Sequence, residues 1–277
     1  MFKYRIISFP LLLALVAAVF FWKAGGQYLF ALIAVAGCGA ALYEGAVLFE
    51  KIGIKNSPLY CAILGALISG AYCLDEFKLF STAYGAAAIM LVLLGSGVYS
   101  LLVMIAKKNE IVQKMAGSLG VVAILGVPFF LLESVYFRTL GNIPLLFYVI
   151  CVAKSMDTGG YIFGMTSARL LPGGNHKIAP KISPNKSWEG VAGGMLMSVG
   201  VSLIFRHFCG GDLGTYILHG VVLSLLSLAG DLTESSLKRS AGVKDSANWI
   251  PGMGGIFDVF DSFLYVGYFM LFSTLGK

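Results

Sequence analysis

The sequence predicts an all-α fold, a polytopic transmembrane helical bundle of about nine spans with its N-terminus in the cytoplasm. Three observations predict it. Of 277 residues, 58% are hydrophobic and only 12% charged, and the mean hydropathy of +0.84 lies far outside the range of soluble globular domains. Apolar runs of the about 20 residues needed to cross about 30 Å of hydrocarbon recur from end to end. Basic residues gather in alternate loops, as the positive-inside rule requires.

The first run, 5–22, follows Lys3 and Arg5. Its charged start and apolar core have the pattern of a signal peptide, but the spans behind it make an uncleaved first helix the expectation. Further spans are read at 27–49, 57–74, 79–106, 116–134, 142–164, 188–206, 213–237 and 254–275. They are continuous and rich in Leu, Ala, Val and Gly, unlike the alternating segments of about 10 residues in a membrane barrel. No polar block is long enough for a separate soluble domain.

With the N-terminus inside, the cytoplasmic cations are Lys3, Arg5, Lys51, Lys55, Lys107, Lys108, Lys114, Arg169, Lys177, Lys181, Lys186, Lys238, Arg239 and Lys244. Only Lys23, Lys78, Arg138, Arg206 and Lys277 fall outside. The asymmetry supports an odd number of spans and charged motifs that face the cytoplasm, and the expected location is the cell (inner) membrane. The formal charge of +6 sits mainly in those loops. There the lipid bilayer's anionic headgroups attract each Lys or Arg by about 1 kcal/mol. No loop is long enough for a basic nucleic-acid-binding domain. Cys38, Cys61, Cys73, Cys151 and Cys209 are scattered singly without CxxC spacing, which indicates neither a zinc site nor a disulfide framework.

The chain is asymmetric. Residues 1–140 read as a transmembrane scaffold half, with Gly37, Gly39 and Ala41 suited to close helix packing. Residues 141–277 read as a catalytic half with cytoplasmic motif loops at 165–188 and 238–254. There Lys154, Asp157, Glu189, Asp231, Glu234, Asp258 and Asp261 enter the helix ends. Ionisable groups in a membrane segment are a site hypothesis by default.

Helical spacing says which of them converge. Asp231, Glu234 and Lys238 stand at i, i+3 and i+7, on one face of the eighth span. Asp258 and Asp261 are three apart in the ninth, and Lys154, Asp157 and Tyr161 share a face of the sixth. Carboxylates brought together repel one another, which a divalent metal resolves: hard cations such as Mg2+ take oxygen ligands and share carboxylates with substrate phosphates. Asp231, Asp258 and Asp261 are the expected ligands. The alternative is that each pairs with a lysine or caps a helix.

The segment Gly174–Gly190 is polar and basic, and Pro180 and Pro184 limit its freedom. His176, Lys177, Lys181 and Lys186 with Ser183, Asn185 and Ser187 suit a polyphosphate; an ordinary basic loop, with Ser187 as a helix cap, is the plainer alternative. Lys238, Arg239 and Lys244 are candidate phosphate clamps. The glycine-rich turn Pro251–Gly255 puts Gly254 and Gly255 at a helix start, where anions are favoured. No GxxxxGK[ST] and no strand-borne GxGxxG is present, which argues against a soluble nucleotide-binding fold.

The run S-x-L-K-R-x4-K-D-S-A-x2-I-P-G-x-G-G-I-x-D-x-x-D, Ser235 to Asp261, resembles the signature of the phosphatidate cytidylyltransferases, the CDP-diacylglycerol synthases. So do DTGGYIFG from Asp157, KISPNKSWEG from Lys181 to Gly190, and GDLTES from Gly230. The resemblance is close over roughly the last 130 residues; in the first half it rests on hydrophobic character and span count. It implies the reaction of CTP with phosphatidic acid to give CDP-diacylglycerol and pyrophosphate, with Mg2+ on Asp231, Asp258 and Asp261. It further implies a phosphate-neutralising role for Lys238, Arg239 and Lys244, and a KISPNKSWEG loop that closes over the nucleotide. Ser183, Pro184, Asn185, Glu189, Glu234 and Asp245 are carried into the expected substrate site on the same motifs, and a homodimer is implied. This chain departs from the family pattern at Met253, where His is usual, at Val259, where Arg is usual, and at Asn185, where a basic residue is common. A His at that position is therefore not an indispensable proton carrier here.

Two rival readings remain from sequence. One is a cytidylyltransferase or CTP-dependent kinase acting on another lipid, such as a polyprenol. The other is a secondary transporter, which predicts charges near the membrane midplane and often internal repeats; neither is evident in the chain.

Overall fold

The computed structural model describes residues 2–77, 109–140 and 143–274. Helix dominates. The elements are α1 (Phe2–Phe21), α2 (Gly26–Lys51), α3 (Pro58–Glu76), α4 (Asn109–Val121), a π-turn (Val122–Gly126) leading into α5 (Val127–Tyr136), a short β1 (Thr139–Leu140) and β2 (Ile143–Pro144) pair, and α6 (Leu145–Leu170). After these come the hairpin β3 (Lys177–Ala179) and β4 (Ser183–Ser187), α7 (Trp188–Cys209), α8 (Leu213–Ser240), α9 (Ile256–Phe260), a 3-10 turn (Asp261–Phe263) and α10 (Val266–Thr274).

Among the described residues, six helical stretches are long and apolar enough to cross a membrane: Gly26–Lys51, Pro58–Glu76, Val112–Tyr136, Leu145–Leu170, Trp188–Cys209 and Leu213–Ser240. They coincide with six of the expected spans. The first expected span corresponds to α1, whose apolar part is the shorter Pro10–Phe21. The span expected at 79–106 lies outside the described residues. The one expected at 254–275 is not a single helix: the 3-10 turn at Asp261–Phe263 interrupts it between α9 and α10.

The chain divides into two compact units, Met1–Glu133 with Ser240–Val259, and Ser134–Arg239 with Phe260–Lys277. In the first, α2 packs along α3. Gly39 lies close to the Ala62 carbonyl, which brings the two backbones together. Ser118 Oγ accepts from the Ser57 N–H at 2.8 Å and donates to the Lys114 carbonyl, tying α4 to the start of α3.

In the second unit, α6 packs along α7 through facing glycines. A methyl group on Gly159 would run into the Gly194 backbone, and one on Gly194 into the Met156 carbonyl. With no hydrophobic drive between helices in lipid, close packing and interhelical hydrogen bonds hold such helices together. Ser198 Oγ donates to the Val152 carbonyl (3.0 Å), Ser227 Oγ to Ala153 (3.3 Å) and Ser202 Oγ to Tyr216 (2.6 Å), stitching α6, α7 and α8.

Candidate active site

The second unit gathers three carboxylates. Asp231, Glu234 and Asp261 each offer one oxygen, and those oxygens lie within 4.8 Å of one another. Asp231 and Glu234 share a face of α8 through the i, i+3 spacing, and Ser235 Oγ donates to Asp231 Oδ1. Asp261 comes from the 3-10 turn. Gly230 makes that approach feasible, because a Cβ there would meet the Asp261 carbonyl oxygen. Two unit charges this close repel by about 3 kcal/mol at an effective dielectric near 20, so the group requires cations.

Each carboxylate has a lysine. Lys186 Nζ is 2.5 Å from Asp231 Oδ2, Lys238 Nζ 2.7 Å from Glu234 Oε2, and Lys154 Nζ 3.7 Å from Asp261 Oδ1. Glu234 is fully buried and Lys238 nearly so, whereas the Asp231 and Lys186 side chains are about one-fifth exposed (22% and 21%), with the Lys186 Nζ itself buried against Asp231. Lys154 also donates to Asp157 Oδ2 at 3.2 Å and to Ser262 Oγ at 2.8 Å.

The polar segment before α7 is a hairpin, with Lys177 opposite Ser187 and Ala179 opposite Ser183, and KISPNKSWEG supplies its turn and second strand. Ser187 caps α7, its Oγ accepting from the Gly190 N–H at 3.1 Å. Glu189 accepts from the His176 N–H and lies 2.7 Å from His176 Nδ1, which clips the hairpin's start to α7. Arg239 Nε donates to the Ile182 carbonyl at 3.3 Å, tying the hairpin turn to the end of α8. Lys186, on β4, is the residue that carries the hairpin into the carboxylate group. Lys177, Lys181, Pro184 and Asn185 face solvent, and Ser183 is half-buried.

Asp258 belongs to the first unit. Its Oδ2 accepts from Gly255 N (2.6 Å) and Ser246 N (2.9 Å) and lies 2.8 Å from Ser246 Oγ, whose shorter contact is with Glu44. The N–H groups of the glycine-rich turn are thus engaged within the protein, Gly255 with Asp258 and Gly254 with the Ile250 carbonyl. Gly254 adopts φ of 95°, which a side chain would strain. Lys244 and Asp245 are exposed.

Three polar residues outside the sequence-derived site matter to this geometry. Ser262, 1% exposed, sits between Lys154, Asp157 and Asp261. Glu44 on α2, also 1% exposed, accepts from the N–H groups of Ile256 and Phe257 and from Ser246 Oγ. Glu44 was not among the residues expected from sequence, and its only local signal is an acid set inside an apolar stretch of α2. Ser246 stands inside the motif run, directly after Asp245.

The architecture defines an α-helical integral membrane protein with a cluster of carboxylates and lysines in its second unit. The chain belongs to the cytidylyltransferase family, whose profile it matches over residues 3–275. Similar proteins, each named phosphatidate cytidylyltransferase, include one from Staphylococcus aureus (strain COL), 44% identical over 123 residues, covering 44% of this chain and 45% of that protein. One from Haemophilus influenzae is 42% identical over 124 residues, covering 43% and 41% respectively. One from Staphylococcus saprophyticus is 41% identical over 147 residues, 52% of this chain and 53% of the relative. The matched region thus spans about half the length of these relatives.

Proposed function

We propose that this protein transfers CMP from CTP to phosphatidic acid, forming CDP-diacylglycerol and pyrophosphate. The observation that carries the reading is the Asp231, Glu234 and Asp261 group with one lysine on each carboxylate. The names of the relatives support the same reaction.

An all-oxygen donor set of three carboxylates fits a hard divalent cation, and Asp231, Glu234 and Asp261 would hold Mg2+. When bound, the ion supplies charge neutralisation for the triphosphate. Lys186 and Lys238, now paired with carboxylates, stand where they can exchange those partners for phosphate oxygens. A phosphate oxygen of phosphatidic acid attacks the α-phosphorus of CTP, the bond from that phosphorus to the bridging oxygen breaks, and pyrophosphate departs with the electron pair. The nucleophile is already ionised near neutral pH, so no strong base is needed; positioning and electrostatics do the catalysis. Lys186 reaches the group from β4, so the hairpin, held by Arg239 and Glu189, couples nucleotide binding to the site. The excess of cations in alternate loops supports a site facing the cytoplasm, where CTP arrives from water and the lipid from the bilayer.

The test is an acceptor competition with purified protein in mixed micelles. Phosphatidic acid should accept the label from CTP in a Mg2+-dependent reaction and outcompete a polyprenol or polyprenyl phosphate. Preference for a polyprenol acceptor would replace this reading with the lipid-kinase one.

A further inference from the structure

Among the described residues, the contacts that hold Asp261 converge on one oxygen. The Ser262 N–H donates to Asp261 Oδ1 at 2.5 Å, and Ser262 Oγ lies 2.8 Å from the same atom. Lys154 Nζ stands 3.7 Å from it. None of these contacts involves Oδ2. A carboxylate whose donors all converge on one oxygen has its rotation fixed, and its other oxygen is presented to whatever lies beyond. One oxygen of Asp261 lies within 4.8 Å of one oxygen each from Asp231 and Glu234.

The donors are themselves held. Ser262 Oγ accepts from Lys154 Nζ at 2.8 Å, which leaves its single proton for Asp261 Oδ1 or for Asp157 Oδ2, 3.1 Å away. Lys154 is fixed by Asp157 Oδ2 at 3.2 Å, one helical turn on in α6, and lies 5.1 Å from the Phe263 ring centroid, within cation–π range. Two carboxylates, one ammonium and one hydroxyl therefore form a closed arrangement. Asp157 offsets the charge of Lys154, and Lys154 turns the serine lone pair toward itself and the proton toward a carboxylate.

We propose that Lys154, Asp157 and Ser262 are positioning residues that set the orientation of Asp261 and thereby the cation affinity of the carboxylate group. They act through Asp261 and not on the substrate. The inference rests on the proposed function for the presence of a divalent ion, and extends it to three residues outside the ligand set. Groups that orient a metal ligand typically change affinity by about 10- to 100-fold when removed.

The experiment is a titration of the purified full chain in detergent with Mn2+ as the probe, free ion counted by electron paramagnetic resonance. The Mg2+ dependence of CMP transfer is read alongside. Ser262→Ala should raise the half-saturating Mn2+ concentration by about tenfold, and Lys154→Met should do the same. Lys154→Arg, which keeps a cation and donors, should recover most of the loss. At saturating metal, kcat should return toward the wild-type value in each variant that binds the ion, a split that a general loss of fold does not produce. Wild-type Mn2+ half-saturation in both Ser262→Ala and Lys154→Met overturns the positioning role. Wild-type Mn2+ binding in Asp231→Asn is a different failure: it removes the carboxylate group as a cation site and with it the reading on which this inference rests.

Discussion

Ser246 Oγ donates a 2.5 Å hydrogen bond to Glu44 Oε2, joining residues 202 positions apart in the chain. Glu44 also accepts from the N–H groups of Ile256 and Phe257, 2.9 Å each, while Asp258 accepts from Gly255 and Ser246. Gly255 has no side chain because a Cβ there would collide with both the Glu44 carboxylate and the Ser246 hydroxyl. A buried acid on α2 is thus the anchor for the segment that leads into α9.

Removing that anchor strands two backbone donors, the N–H groups of Ile256 and Phe257, while the Ser246 hydroxyl can turn to Asp258. Glu44→Ala should destabilise the protein by about 3 kcal/mol, since each buried donor left unpaired costs about 1–3 kcal/mol and some relax. Ser246→Ala removes one hydroxyl and leaves the backbone bonds to both carboxylates in place, so it should cost about 1 kcal/mol. Thermal unfolding midpoints in detergent should fall in that order. Equal midpoints for Glu44→Ala and wild type would contradict the anchoring role.

The glycine contact between α6 and α7 predicts a sharp positional dependence. Gly159→Val and Gly194→Val push a side chain into backbone atoms of the facing helix and should cost about 1–3 kcal/mol or more. Gly200, on the same α7, has nothing near its missing Cβ, so Gly200→Ala should be neutral or stabilising by up to about 1 kcal/mol through helix propensity. Detergent unfolding of the three variants checks the contrast.

Arg239 was expected to neutralise phosphate; the structure also gives it the Ile182 carbonyl. Arg239→Lys keeps the charge but replaces a planar fork with a point donor. It should raise the KM for CTP by about tenfold while leaving the unfolding midpoint near wild type. A KM for CTP unchanged in both Arg239→Lys and Arg239→Ala would show that the hairpin needs no such tie.

Much of the second unit was legible because helical periodicity is local. The spacing of Asp231, Glu234 and Lys238 put them on one face of α8, and the i, i+3 pairing of Lys154 with Asp157 is present at 3.2 Å. Asp258 and Asp261 were expected to point together on the same reasoning. That expectation assumes one continuous helix, and a 3-10 turn begins at Asp261. Glu44, Ser246 and Ser262 were harder to see, since their roles depend on partners up to 213 residues away, which no local pattern encodes. The hairpin was read as a loop because three- and five-residue strands rich in Lys, Pro and Ser carry almost no alternation.

The central claim is CMP transfer at the Asp231, Glu234 and Asp261 group. The most direct measurement compares CTP labelled with 32P at the α- or the γ-position, with phosphatidic acid and Mg2+, in wild type and in Asp261→Asn. The account predicts solvent-extractable label from α-labelled CTP only, and loss of that label in Asp261→Asn with the unfolding midpoint preserved. Label entering lipid from the γ-position, or substantial transfer by folded Asp261→Asn, would contradict it.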